Sequence, residues 1–290
     1  EETCASTQEH TRAFVKIQDG CNNFCTYCLI PYLRGRSRSR DLESILDEVK
    51  KLPNDVKEIV LVGIDVSDFQ IDGKKALGTL LTKLDGFGKR LRLSSMEDNL
   101  IEDEFMETLS KLKNFCPHFH LSLQSGCDNV LKKMNRKYTT AQFEESVNKI
   151  RKYFPNAGIT TDIIVGFPTE TDDDFEQTMK FVEKIQFSQL HIFPYSKRDG
   201  TVAEKLYKDL SGTVKMQRLK RLEKLGETLK IDFINQNKTG RVLIEEKNGD
   251  YCEGYTENYI KCFVKGDFNV GDIVEVKIVK PFKNGALCEA

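Results

Sequence analysis

The sequence has 290 residues, 39% hydrophobic and 31% charged, with 44 Lys+Arg against 45 Asp+Glu, a net charge of −1. This composition excludes a disordered or collagen-like chain, and no apolar run approaches the ~20 residues that span a bilayer. The polar, acidic start Glu1-Glu2-Thr3-Cys4 is not a signal peptide, and its lack of Met suggests a chain cut from a longer one.

At roughly 150 residues per domain, the length suggests about two domains. Ala13–Gln18 reads as a first strand, followed by a Cys-rich loop. Leu42, Ile45, Leu46, Val49 and Leu52 then share one helical face, with Asp41 as N-cap. Glu58–Val62 is short and β-branched, as a buried parallel strand should be. Helix Leu77–Leu84, strand Leu91–Ser95, helix Asp103–Leu112, strand His118–Leu123, helix Ala141–Phe154 and strand Ile159–Val165 follow. Thr171 and Asp174 read as a capping box opening a helix with Phe175, Met179 and Val182 inward. Gln189–Phe193 is the sixth strand.

Six strand–helix units predict an α/β fold, a partial βα barrel with six parallel strands and right-handed crossovers. In such barrels chemistry sits at the C-terminal ends of the strands. The Lys/Arg-rich helix Val214–Lys230 follows. Short strands at Arg241–Glu246, Tyr251–Tyr255, Ile260–Val264 and Ile273–Val279 then predict a small all-β barrel. The expected domains are a linker over 1–12, the βα barrel over 13–230 and the β-barrel over 231–290.

The strongest chemical signal is Gly20-Cys21-Asn22-Asn23-Phe24-Cys25-Thr26-Tyr27-Cys28. Nine Cys placed at random would give this C-x-x-x-C-x-x-C spacing roughly one time in a hundred. The absence of a secretion signal points to a reducing, cytoplasmic setting with free, buried or metal-bound thiols. Zinc is one reading, but a structural zinc needs four closed ligands, and only His10 is near in sequence. A disulfide would leave one Cys over, and incidental buried thiols are the bland alternative. Three thiolates suit a 4Fe-4S cluster with one iron left open.

With Tyr27 at its aromatic position, the motif resembles that of the radical S-adenosylmethionine superfamily. The resemblance sharpens over Lys16-Ile17-Gln18-Asp19-Gly20, Ile30–Arg40, Leu123-Gln124-Ser125-Gly126, Met134-Asn135-Arg136-Lys137-Tyr138-Thr139, Asp162–Pro168 and Phe193–Thr201. This ordered set resembles the methylthiotransferases, and most of all the branch acting on threonylcarbamoyladenosine in tRNA. The terminal strands resemble the TRAM domain, a small RNA-binding β-barrel.

The resemblance implies methylthiolation at carbon 2 of the position-37 adenosine, beside the anticodon. It implies a 4Fe-4S cluster on Cys21, Cys25 and Cys28, S-adenosyl-L-methionine, and a second cluster in a preceding domain that this chain lacks. Tyr27, Gly63, Asp65, Ser95, Glu97, Gln124, Ser125 and Arg136 are the candidate cofactor-binding residues, Arg136 toward the methionine carboxylate. Arg34, Arg36 and Arg38 are expected to meet phosphate, with Arg40 continuing the alternation. Tyr255, Asn258 and Tyr259 are expected to grip RNA.

Against this stands the composition of residues 231–290, 8 Lys+Arg and 10 Asp+Glu. The implied partners are tRNA and an electron donor such as a flavodoxin or ferredoxin, with a monomer and no membrane. The competing readings are a methylthiotransferase of another tRNA adenosine or of a ribosomal-protein Asp, and a non-catalytic zinc-containing RNA-binding protein. The remaining Cys (Cys4, Cys116, Cys127, Cys252, Cys262 and Cys288) lack metal spacing and read as structural.

Overall fold

The computed structural model describes residues 11–290. Cys4, His10 and the expected linker up to residue 10 lie outside the described residues, while Arg12 already belongs to the first strand.

Strands Arg12–Lys16, Glu58–Val62 and Arg90–Leu93 pair in parallel, with Phe14 opposite Val60 and Val60 opposite Arg92. At Ser94 the third strand breaks and resumes as Ser95–Met96, which pairs with His118–Leu121. Gly158–Val165 and Gln189–Pro194 complete the incomplete barrel, with Asp162 opposite His191. Paired residues of a parallel ladder face the same side with period two, so Phe14, Val60, Arg92, His120, Asp162 and His191 face the lumen. The alternate set, including Val15, Leu61, Leu93, Phe119, Leu121 and Ile163, is buried beneath the helices. This is the partial βα barrel that the alternation predicts.

The helices start where the caps place them. Asp41 accepts from Ser44 N at 2.8 Å, and Thr171 with Asp174 forms a full capping box. Helix Asp128–Lys133 was not anticipated; six residues are too few for a periodic signal. Among the described residues, no helix is long and apolar enough to cross a membrane.

The helix Gly212–Gln236 runs past the expected boundary at 230, and its last turn places Ile234 in the core of the second barrel. That closed barrel has five strands: Thr239–Asn248, Tyr251–Tyr255, Lys261–Val264, Ile273–Phe282 and Gly285–Glu289. The fifth strand was missed because its inward residues, Ala286 and Cys288, are small and close to the chain end. Cys116, Cys127, Cys252, Cys262 and Cys288 are all free and buried.

The second barrel docks under the N-terminal ends of the first barrel's strands. Glu58 is fully buried there, with Nε of Arg12, Arg90 and Arg92 at 3.0, 3.0 and 2.7 Å. Burial alone would raise this carboxyl, but the guanidiniums, Arg92 foremost, hold it at about 2. Across the seam, Arg92 donates to the carbonyls of Glu257 (2.8 Å) and Thr256 (3.2 Å). Arg12 pairs with Glu245 at 2.6 Å.

Candidate functional site

Gln18–Asp19 pairs with Arg38–Ser39, closing a loop that carries Cys21, Cys25 and Cys28. Its neck is Gly20, at φ +75°, where a Cβ would sit 2.1 Å from the carbonyl oxygen of Arg36. Only glycine fits there. Phe24 also takes a left-handed conformation, φ 48°, and the Arg36 guanidinium lies 4.3 Å over its ring.

Each of the three sulfurs receives one N–H. Asn23 N donates to Cys21 Sγ (3.4 Å), Ile30 N to Cys28 Sγ (3.4 Å) and Arg136 Nη1 to Cys25 Sγ (3.3 Å). Burial pushes the Cys21 thiol up to about 11 and raises that of Cys28. A thiolate with an N–H donor is the arrangement in which a cluster's sulfur ligands are tuned. Among the described residues, no three His, Cys, Asp or Glu converge on one ion position, as a closed zinc site requires. Three thiols, each with an N–H donor, are the donor set that a 4Fe-4S cluster with one open iron takes.

Distant segments hold this loop from three sides. Gln18, almost fully buried, donates to Gly20 O (2.8 Å) and Ser37 Oγ (2.9 Å) and accepts from Asp65 N (3.0 Å). Thr26 N donates to Met134 O (3.0 Å), and Asn135 Nδ2 to Phe24 O (2.9 Å). Ala203 N donates to Thr26 O at 2.8 Å. Gln18 and Asn135 were visible only as motif letters; their task is to lock the loop.

The candidate cofactor residues divide into two groups. Glu97 and Arg136 form an ion pair beside Cys25, and Arg136 also donates to Ser122 O (2.8 Å) and Tyr138 Oη (3.0 Å). They line a cleft of about 350 Å³ with Asn23 and Asn135. Tyr27 packs edge-on against Phe167, centroids 6.5 Å apart. Gly63 abuts the Gln18 side chain, where a Cβ would meet Oε1 at 2.9 Å.

Of the others, two are engaged by protein side chains and two lie in the sheet. Asp65 caps the turn Val66–Asp68, its carboxylate taking Ser67 N (3.1 Å) and the Ser67 hydroxyl. Ser125 is fully buried against Thr178 Oγ1 at 3.3 Å, toward the outer helix. Gln124, at φ 69°, exchanges backbone bonds with Asp162 and Ile164 and so extends the sheet. Ser95 joins the ladder opposite His120. Arg136, expected to meet the methionine carboxylate with its fork, is engaged here by Cys25, Glu97, Ser122 and Tyr138.

Two further expectations change. Arg34 caps the short helix Ile30–Leu33, so the segment is not extended throughout. Arg38 pairs with Asp19 (2.8 Å) and Arg34 O (2.7 Å), and Arg40 is bound by Glu48 and Ser44. Arg34, Arg36 and Arg38 all stay exposed beside the loop. Tyr255, Asn258 and Tyr259 belong to the seam between barrels. Tyr259, at φ 70°, stacks on His118 (4.4 Å) and Tyr255 (4.7 Å). Asn258 donates to Asn156 O and Asn237 Oδ1, both 2.9 Å. These side chains hold the domains together, and Tyr255 and Tyr259 also line a cleft that reaches Thr160 and His191.

Sequence reading gave no role to the lumen's polar wall. His120 Nε2 lies 3.3 Å from Asp162 Oδ2, its Nδ1 lies 2.9 Å from Thr160 Oγ1, and its ring meets His191 edge-on. The available signal was polar residues at alternate positions of strands whose other face is apolar. Phe14 and Phe193, on the two edge strands, are 51% and 52% exposed and flank the barrel's open side.

A Radical SAM superfamily model matches residues 15–182, and a TRAM domain model matches residues 235–284. The Chlamydia pneumoniae threonylcarbamoyladenosine tRNA methylthiotransferase MtaB is 36% identical, covering 98% of this chain and 69% of its own length. The chain belongs to the radical S-adenosylmethionine methylthiotransferase family. The Bacillus subtilis MtaB is 41% identical over 96% of the chain, and the chain spans 65% of that relative's length. The tRNA-2-methylthio-N(6)-dimethylallyladenosine synthase of Clostridium novyi is 39% identical over 93% of the chain and 62% of its own. Among solved structures, coproporphyrinogen III oxidase (HemN) from Escherichia coli superposes with TM-score 0.57 at 15% identity, covering 96% of this chain and 69% of its own. At that identity it shares the fold alone.

Proposed function

We propose that the chain is the radical-generating and tRNA-facing part of a methylthiotransferase acting on threonylcarbamoyladenosine at position 37 of tRNA. The observation that carries this is the three-cysteine loop at the C-terminal ends of the strands, locked by the same segments that mark the family. When bound, the cluster and S-adenosylmethionine supply one-electron cleavage chemistry.

The chain's own residues do the rest. Cys21, Cys25 and Cys28 hold the cluster. Arg136 donates to the Cys25 sulfur and, with Glu97, shapes the cleft that S-adenosylmethionine enters. Phe14 and Phe193 offer ring faces at the barrel's open side to a planar base, and the His120–Asp162 wall offers it hydrogen bonds. Packed around the base, these side chains exclude water from the lumen.

A low-potential donor such as a flavodoxin or ferredoxin delivers the electron, and the transferred sulfur comes from a second cluster outside this chain. Nucleoside mass spectrometry of tRNA from cells lacking the full-length gene tests the reading. Loss of the methylthio form of threonylcarbamoyladenosine is the expected result. Loss of the dimethylallyl product instead would move the protein to the neighbouring branch, and an unchanged nucleoside profile would overturn the proposal.

A further inference from the structure

Four acids of the second barrel are paired, which reduces its acidic excess from two to one. Glu245 is taken by Arg12 of the first barrel, Glu257 by Arg241, Asp267 by Lys247 and Glu253 by Lys261. At one end of the barrel a basic and aromatic cluster remains. Lys283 Nζ lies 5.0 Å from the ring centre of Phe263, 5.4 Å from Phe282 and 5.5 Å from Tyr251. Lys265 sits 5.9 Å over the other approach to Tyr251. Lys230, from the long helix, donates to Asn284 O at 2.7 Å in the same turn. Asp250 and the paired Glu253 are the acidic groups adjoining Tyr251 in the chain.

The turn that carries Lys283 is built tightly. Lys283 takes φ 50°, a conformation that favours glycine. Gly285 backs onto strand Lys261–Val264, where a Cβ would come within 2.3 Å of Lys261 O. Phe263 is buried and forms the frame, while Tyr251 and Phe282 are half-buried, their centroids 5.4 Å apart, and keep ring surface toward solvent. Lys265 and Lys283 are exposed. At these exposed positions the cation–π attraction is weaker than base stacking, so a base can take the ring faces while the ammonium groups turn to phosphate.

We infer that Tyr251, Lys265, Phe282 and Lys283, with Lys230 behind them, form the surface by which the second barrel holds RNA. The lysines take phosphates and the half-buried rings take a base, the combination that single-stranded RNA recognition uses. Position adds to chemistry: a cleft of about 280 Å³ lined by Lys230, Lys261 and Asn284 reaches Thr160 and His191 of the first barrel. A strand held on this end therefore lies beside the N-terminal ends of that barrel's last two strands. The inference rests on the tRNA reading above and names the surface that reading requires.

The test is binding of a transcribed tRNA to the 290-residue chain across a salt series. The Lys265→Gln/Lys283→Gln double variant should lower the slope of log K against log salt by about two units, with an unchanged melting curve. Tyr251→Leu should weaken binding at constant slope. Lys50→Gln/Lys51→Gln, on the first helix after the cysteine loop, should change neither. If the wild-type chain binds and the Lys265/Lys283 variant binds identically, or if the Lys50/Lys51 variant lowers the slope equally, this surface is wrong and the tRNA reading stands. If the wild-type chain binds no tRNA even at low salt, both fall.

Discussion

Arg136 Nη1 stands 3.3 Å from the sulfur of Cys25, while its Nη2 is paired with Glu97. One guanidinium thus ties Cys25 to the end of the third strand. Its side chain is 5% exposed and that of Glu97 13%, so neither charge is well solvated alone. Glu97→Gln should destabilise the protein by about 3 kcal/mol, the cost of stranding a buried partner, read from denaturant midpoints. Arg136→Met should leave iron bound but shift the cluster's reduction potential downward, because an N–H to a ligand sulfur stabilises the reduced state. An unchanged potential in Arg136→Met would count against the contact.

Anaerobic reconstitution should load about four irons on Cys21, Cys25 and Cys28. Cys25→Ala should lose the cluster, since three protein ligands leave none to spare. Iron and sulfide analysis with the visible spectrum decides this, and stoichiometric zinc without iron would refute it.

Cluster loading should be pH-dependent. The folded Cys21 thiol ionises near 11 against an ordinary 9.0, so the metal must displace protons that burial holds on. Metal affinity should therefore rise with pH between 7 and 9. For the metal-free chain the sign is the reverse. The native state binds more protons than the unfolded state between about 9 and 11, so its stability falls as pH rises through that window. Urea midpoints of the metal-free and loaded chains at pH 8 and 10 should diverge.

Gly20→Ala tests the neck of the loop. A methyl group there would meet the Arg36 carbonyl at 2.1 Å at a positive φ, so the hairpin must open. Iron content should drop sharply while far-ultraviolet circular dichroism of the barrels persists. A Gly20→Ala chain that holds a full cluster would refute the geometry of the neck.

Glu58 should give the protein an acid sensitivity. Its carboxyl is held at about 2 against an ordinary 4.5, so the stabilisation is complete above 4.5 and disappears as pH falls toward 2. Glu58→Gln should flatten that part of the stability profile and also cost several kcal/mol at neutral pH, because three guanidiniums lose their counter-charge. A variant as stable as the wild type at pH 7 would refute the account.

The barrel strands, the capping of the main helices and the cysteine loop were legible because alternation, caps and Cys spacing are local signals. The partners of Ser125 and Asp65 were not legible because a motif gives no side-chain direction. Ser125 follows the left-handed Gln124 and turns outward, and Asp65 is consumed by the turn it caps. Tyr255 and Tyr259 read equally well as base platforms or packing. The stacking partner of Tyr259, His118, lies more than a hundred residues earlier in the chain. Lys283 was invisible as a site because its three rings come from three different strands.

The arginines around Glu58 also bear on modular exchange. Arg12, Arg90 and Arg92 belong to the first barrel by sequence, yet they bind Glu245, the Arg241 carbonyl and the Thr256–Glu257 backbone of the second. A second barrel grafted from a relative would arrive on a socket cut for another plug. The transplant would have to carry its own matching guanidiniums and acid, and the two domains, tied across this seam, should unfold in a single transition.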